Sequence, residues 1–77
     1  MREFHIEDEF YEDHIVDEKE FRQTLNGLKE IWEGDYDMKI DPQEQRMDCS
    51  VMQEWTFPNV SMWVIAEDYE ELKELNL

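Results

Sequence analysis

The chain has one cysteine, two glycines, two prolines and no long apolar run. A single cysteine excludes an internal disulfide and a cysteine-built zinc site, and it suits a reducing compartment. Two glycines, Gly27 and Gly34, supply no phosphate-cradling loop. No stretch approaches the roughly 20 apolar residues that a membrane span needs. Met1 is followed by Arg2, Glu3 and further acids, so no signal peptide is expected. Bases are the most telling shortage. Seven Lys and Arg face 22 Asp and Glu, a formal net charge of −15.

That imbalance sets the terms of the functional reading. Self-repulsion opposes the compact state, and 77 residues bury only about 60% of the surface that the unfolded chain exposes. An anionic surface repels nucleic acid and anionic membranes and speeds association with a positive groove. The chain nevertheless reads as folded. Its apolar content is 40%, with three Trp, three Tyr and four Phe, too much for a disordered acidic tail. Residues 1–77 are expected to form one small acidic domain.

Val16 to Gly34 is the most legible segment. Asp17 is an N-cap candidate, Glu20 completes a capping box, and Val16 with Phe21 forms a hydrophobic staple. Phe21, Leu25, Leu28 and Trp32 recur at helical spacing, with Thr24 and Ile31 widening the stripe. Leu28 is expected to be buried. Gly34 is expected to end the helix as a left-handed cap.

Three strands follow. Tyr36, Met38 and Ile40 alternate with charged neighbours, and Asp41-Pro42 opens a turn. From Met47 to Phe57 the odd positions read Met, Cys, Val, Gln, Trp, Phe, a second strand with Cys49 facing inward. Pro58-Asn59 makes a tight turn before a third strand, Val60 to Ala66. Asp68 and Glu71 repeat the capping box ahead of a short helix carrying Tyr69, Leu72 and Leu75. The fold class is therefore α+β, order α-β-β-β-α, with a three-stranded antiparallel sheet packed on helices. Phe4 and Ile6 alternate like an extra N-terminal strand, and Glu7 to His14 crowds five acids around Phe10 and Tyr11; an edge strand, a helical turn and a lid all remain open there.

A two-residue Pro58-Asn59 loop would set the register of the second hairpin, and a three-residue loop would shift it. The two-residue loop pairs Phe57 with Val60, Trp55 with Met62, Gln53 with Val64 and Val51 with Ala66, a face suited to both helices. The opposite face pairs Thr56 with Ser61, Glu54 with Trp63 and Met52 with Ile65. Met52, Trp63 and Ile65 then form an apolar patch away from the helices. The expected arrangement is that Phe4, Ile6 and Phe10 cover it; the functional alternative is a partner-binding surface.

No catalytic constellation appears. Cys49 has no histidine placed near it and reads as core. His14 with Asp13 and Asp17 lacks ligand spacing, so no metal or other cofactor is expected. GDYDMKIDPQEQ lacks the central glycine and closing glutamate of a calcium loop. The strand and helix order is similar in outline to the double-stranded RNA-binding domain, but the basic contacts are absent and order alone carries no function.

The acids are better placed than any catalyst. Asp41, Glu44, Asp48, Glu67 and Asp68 are expected to converge at one end of the sheet, with Glu33, Asp35 and Asp37 at the other. Alternate strand residues lie about 6.6 Å apart on one face, similar to successive phosphates along a nucleic-acid strand. Together with Trp63 these acids are the candidate partner-binding residues. The expected function is a non-enzymatic inhibitor that imitates nucleic-acid phosphates in the basic site of a nuclease or other DNA-handling protein. In size and charge it resembles phage-borne anti-CRISPR and anti-restriction proteins, a resemblance of type that no motif carries. Such a protein acts in the cytoplasm on a basic protein, not on nucleic acid directly or on a membrane. Alternatives are an immunity protein or antitoxin against a basic toxin, and a small acidic adaptor using the Met52–Trp63–Ile65 face.

Overall fold

Alternating side chains build the middle of the sheet. In the computed structural model, which describes residues 2–41 and 50–77, β4 (Val51–Thr56) and β5 (Ser61–Ala66) pair antiparallel. Their register is Val51 with Ala66, Gln53 with Val64, Trp55 with Met62, and on the other face Met52 with Ile65 and Glu54 with Trp63. The Phe57 N–H donates to the Val60 carbonyl at 2.8 Å, closing the two-residue Pro58-Asn59 loop. This is the pairing expected from the loop length. β3 (Asp37–Asp41) runs antiparallel along β4.

The three-stranded sheet is corrected to five strands. β1 (Glu3–Glu7) pairs with β5, and β2 (Asp13–Val16) pairs with β1, giving the order β2-β1-β5-β4-β3. The N-terminal segment therefore extends the sheet and does not cover its open face. The physical reason lies in β5, whose second edge would otherwise leave a row of backbone groups unpaired. β1 fills that edge, with Phe4 opposite Val64 and His5 opposite Trp63.

Two helices lie on one face. α1 (Glu18–Trp32) begins at Asp17, whose carboxylate accepts the Glu20 N–H at 2.8 Å. α2 (Tyr69–Leu75) begins at Asp68, which accepts the Glu71 N–H at 3.0 Å. Phe21 and Leu25 of α1 and Leu72 and Leu75 of α2 bury against Phe4, Val51, Trp55, Met62 and Val64. Phe21 joins the layers, its ring 5.1 Å from Phe4 and 5.8 Å from Trp55. Leu28 and Trp32 are only partly buried at the rim, and Ile31 is 70% exposed, so the buried stripe is narrower than its periodicity suggests. The helix ends on Glu33 in the left-handed region, φ 44°, one residue before Gly34 at φ 91°. Cys49 and Met47 lie outside the described residues.

Candidate functional site: an acidic turn end

The strand order gives the sheet two unlike ends. At one, β1, α1 and α2 begin, and β3 and β5 finish. At the other lie the β1–β2 turn, the Pro58-Asn59 turn and the start of β3. We refer to the second as the turn end.

The first end holds Asp41, Glu67 and Asp68, as their places at the ends of β3 and β5 require. The Tyr69 hydroxyl donates to the Asp41 carbonyl at 3.5 Å, tying the two segments together. Glu44 and Asp48 lie outside the described residues. This end is also where bases are engaged. Arg2 lies within 4.0 Å of Glu18, Glu71 and Glu74, so one guanidinium links β1 to both helices. Arg22 pairs with Glu18 at 2.8 Å and donates to the Leu75 carbonyl at 2.7 Å. Asp68 is itself occupied in capping α2. The acids here are partly balanced and partly structural.

The turn end differs. Glu33, Asp35 and Asp37 reach it from the α1–β3 connection, on the flank where the sequence places them. The opposite flank is the β1–β2 hairpin, which brings Glu7, Asp8, Glu9, Glu12 and Asp13. Among the described residues, the ionic partners of these two groups are histidines alone: Asp13 with His5 at 2.9 Å, Asp8 with His14 at 3.0 Å and Glu12 with His14 at 4.0 Å. The Pro58-Asn59 turn stands between the flanks and leaves a concavity on each side. One, of about 340 Å³, is lined by Glu7, Asp8, Glu9, Tyr11 and the turn. The other, of about 360 Å³, is lined by Asp35, Tyr36, Asp37 and the turn.

The hairpin tip is held locally. Asp8 acts as an Asx cap, its carboxylate accepting the Phe10 N–H at 2.9 Å and the Glu12 N–H at 3.1 Å. The Tyr11 N–H donates to the Asp8 carbonyl at 3.0 Å. These bonds put Tyr11 in the left-handed region, φ 63°, where Gly or Asn is normal and a tyrosine is strained. The hydrogen bond between His14 and Asp8 raises the His14 pKa and lowers that of Asp8. Donor atoms of Asp8, Glu12 and His14 lie within 4.8 Å of one another. The Asx cap and the ion pair already account for that convergence. Asp13 pairs instead with His5, so the sequence-level grouping of His14 with Asp13 and Asp17 is not what forms.

Trp63 lies on the open sheet face, half-buried, stacked on His5 with ring centroids 5.1 Å apart and planes 7° from parallel. His5 is buried between two carboxylates, with Nδ1 2.9 Å from Asp13 and Nε2 2.6 Å from Glu3. Glu54, the other cross-strand neighbour of Trp63, pairs with Lys39 at 3.5 Å. The face is thus a half-buried apolar strip crossed by internally paired charge.

Sequence reasoning missed the hairpin's share of the turn end. Five acids around Phe10 and Tyr11 were the visible signal; the turn that arranges them carries no Gly, Pro or Asn. Among the described residues no helix is long and apolar enough to cross a membrane. No family model matches the sequence, and neither a curated protein nor a solved structure matches the chain.

Proposed function

We propose that the chain is a non-enzymatic inhibitor whose carboxylates occupy phosphate positions in the basic site of a nuclease or another nucleic-acid-handling protein. The observation that carries this reading is the turn end. Acids from two separate segments flank one turn there, and no Lys or Arg among the described residues pairs with them. Carboxylates gathered there without a Lys or Arg partner are costly to keep together and are what a cationic groove attracts. The same charge repels nucleic acid, so the target is the protein that binds it. Phage-borne inhibitors of CRISPR and restriction nucleases, acting in the host cytoplasm, are the kind of protein this reading implies.

The test is competition. Immobilised protein is loaded with the partner it retains from a cell lysate, and DNA or RNA oligonucleotides are added. Release of the partner by nucleic acid is expected. Retention at saturating nucleic acid overturns the mimic and favours an immunity protein that binds away from the active site. One observation supports a second reading: among the described residues the helices pack on the opposite face of the sheet from Trp63 and Ile65, which are half-buried, and an adaptor's partner would complete their burial. Under it, Trp63→Ala abolishes binding and charge neutralisation mainly slows it.

A further inference from the structure

Phe10 and Tyr11 are the most exposed large apolar side chains of the described residues, at 75% and 85%. They sit side by side at the tip of the β1–β2 hairpin, inside the acidic flank of the turn end. Chance exposure explains one aromatic on a small protein, since much of any surface is apolar. What separates this pair from Ile15 and Ile31, 69% and 70% exposed, is that the two rings are adjacent in the chain and lie among acids. The core is thin, yet two of its large rings are spent outside it. Tyr11 also occupies a left-handed backbone position that Gly or Asn would fill without strain. The Phe10 and Glu12 N–H groups donate to the Asp8 carboxylate and the Tyr11 N–H to the Asp8 carbonyl, which holds the backbone of the tip in this conformation.

We infer that Phe10 and Tyr11 are aromatic anchors, standing where bases would while the surrounding carboxylates stand where phosphates would. The inference rests on the phosphate-mimic reading and narrows its partner. A duplex groove presents cations to phosphates and has little use for two projecting rings. Sites for single-stranded nucleic acid interleave basic and aromatic side chains, because exposed bases stack on aromatic faces. Charge complementarity requires the partner to be basic, and the rings require it to offer an aromatic or apolar platform within that basic surface. The concavity beside Tyr11, walled by Glu7, Asp8 and Glu9, is placed to take a guanidinium next to the ring.

The test uses two synthetic peptides of equal length and charge, one alternating arginine with tryptophan and the other arginine with serine. Each is titrated into the full chain by calorimetry at about 150 mM salt, where exposed charges are screened beyond about 8 Å. The arginine–tryptophan peptide is expected to bind about fivefold tighter or more. That preference should vanish in Phe10→Ser with Tyr11→Asn, a pair that suits the left-handed backbone and removes no core side chain. It should survive in Ile15→Ser, an exposed apolar change on the open face. Equal binding of both peptides to the parent chain, with loss on neutralising Glu7, Glu9, Asp35 and Asp37, overturns the anchors and leaves the phosphate mimic standing. A preference that persists in the Phe10 and Tyr11 variant also overturns the anchors. Absence of binding by either peptide at low salt overturns both readings.

Discussion

At the scale of single residues, His14 and Asp8 give the clearest dependence on pH. His14 is held above its ordinary value of 6.5, chiefly by its hydrogen bond to Asp8. Its contribution is complete below pH 6.5 and is lost as pH rises through the folded value. Asp8 is held below its ordinary value of 3.8, chiefly by the same bond. Its contribution is present above pH 3.8 and is lost as pH falls through its folded value. The pair therefore supports the hairpin most between those two ordinary values. His14→Gln should reduce the rise in melting temperature on going from pH 8 to pH 6, measured by circular dichroism. An unchanged rise contradicts the assignment. Core residues divide just as sharply. Leu25 is fully buried, so Leu25→Ala should cost about 2–5 kcal/mol in denaturant unfolding. Leu28 sits at the rim, and Leu28→Ala should cost distinctly less; equal losses would mean that the helix is rotated from the orientation described.

At the scale of elements, legibility followed the strength of local signals. α1 was readable because cap, staple and stripe agree, and Asp17 caps it as expected. The β4–β5 register was readable because a two-residue loop leaves little choice. β1 and β2 were not. β2 has four residues, three of them exposed, so no alternation marks it. Its turn places a tyrosine where a glycine or asparagine would have announced the bend. The same substitution argument yields a prediction. Tyr11→Asn should raise stability by about 0.5–1 kcal/mol, by relieving the left-handed strain of an aromatic residue. A loss of stability would show that Tyr11 makes a contact the strain is balanced against. The helix end is a smaller case: Gly34 pointed to the right turn, yet Glu33 takes the left-handed cap and Gly34 follows it.

At the scale of the whole molecule, the two sheet ends differ in how their acids are paired. From sequence, acids were expected at both, with more weight on Asp41, Glu44, Asp48, Glu67 and Asp68. The fold puts Arg2 and Arg22 to work at that end, linking helices and strands through Glu18, Glu71 and Glu74. Among the described residues no Lys or Arg pairs with the acids of the turn end, which also carries His14 and the exposed Phe10 and Tyr11. No periodicity could reveal this, because it depends on which outer edge of the β5-β4-β3 sheet the N-terminal hairpin takes. The turn-end acids come from segments some 20 residues apart in the chain and are brought level by antiparallel pairing.

The most direct measurement compares the two ends. One variant carries Glu7→Gln, Glu9→Gln, Asp35→Asn and Asp37→Asn at the turn end. The other carries Asp41→Asn and Glu67→Gln at the opposite end. Both keep side-chain size and leave the Asp17 and Asp68 caps and the ion pairs of Arg2 and Arg22 in place. Affinity and association rate for the partner are measured at low and at moderate salt. The turn-end variant is expected to associate about tenfold more slowly or worse at low salt and to bind more weakly, with a smaller deficit as salt rises. The opposite-end variant should stay close to the parent. Equal losses from the two, or a greater loss from the opposite end, would contradict the claim that the turn end is where this protein meets its target.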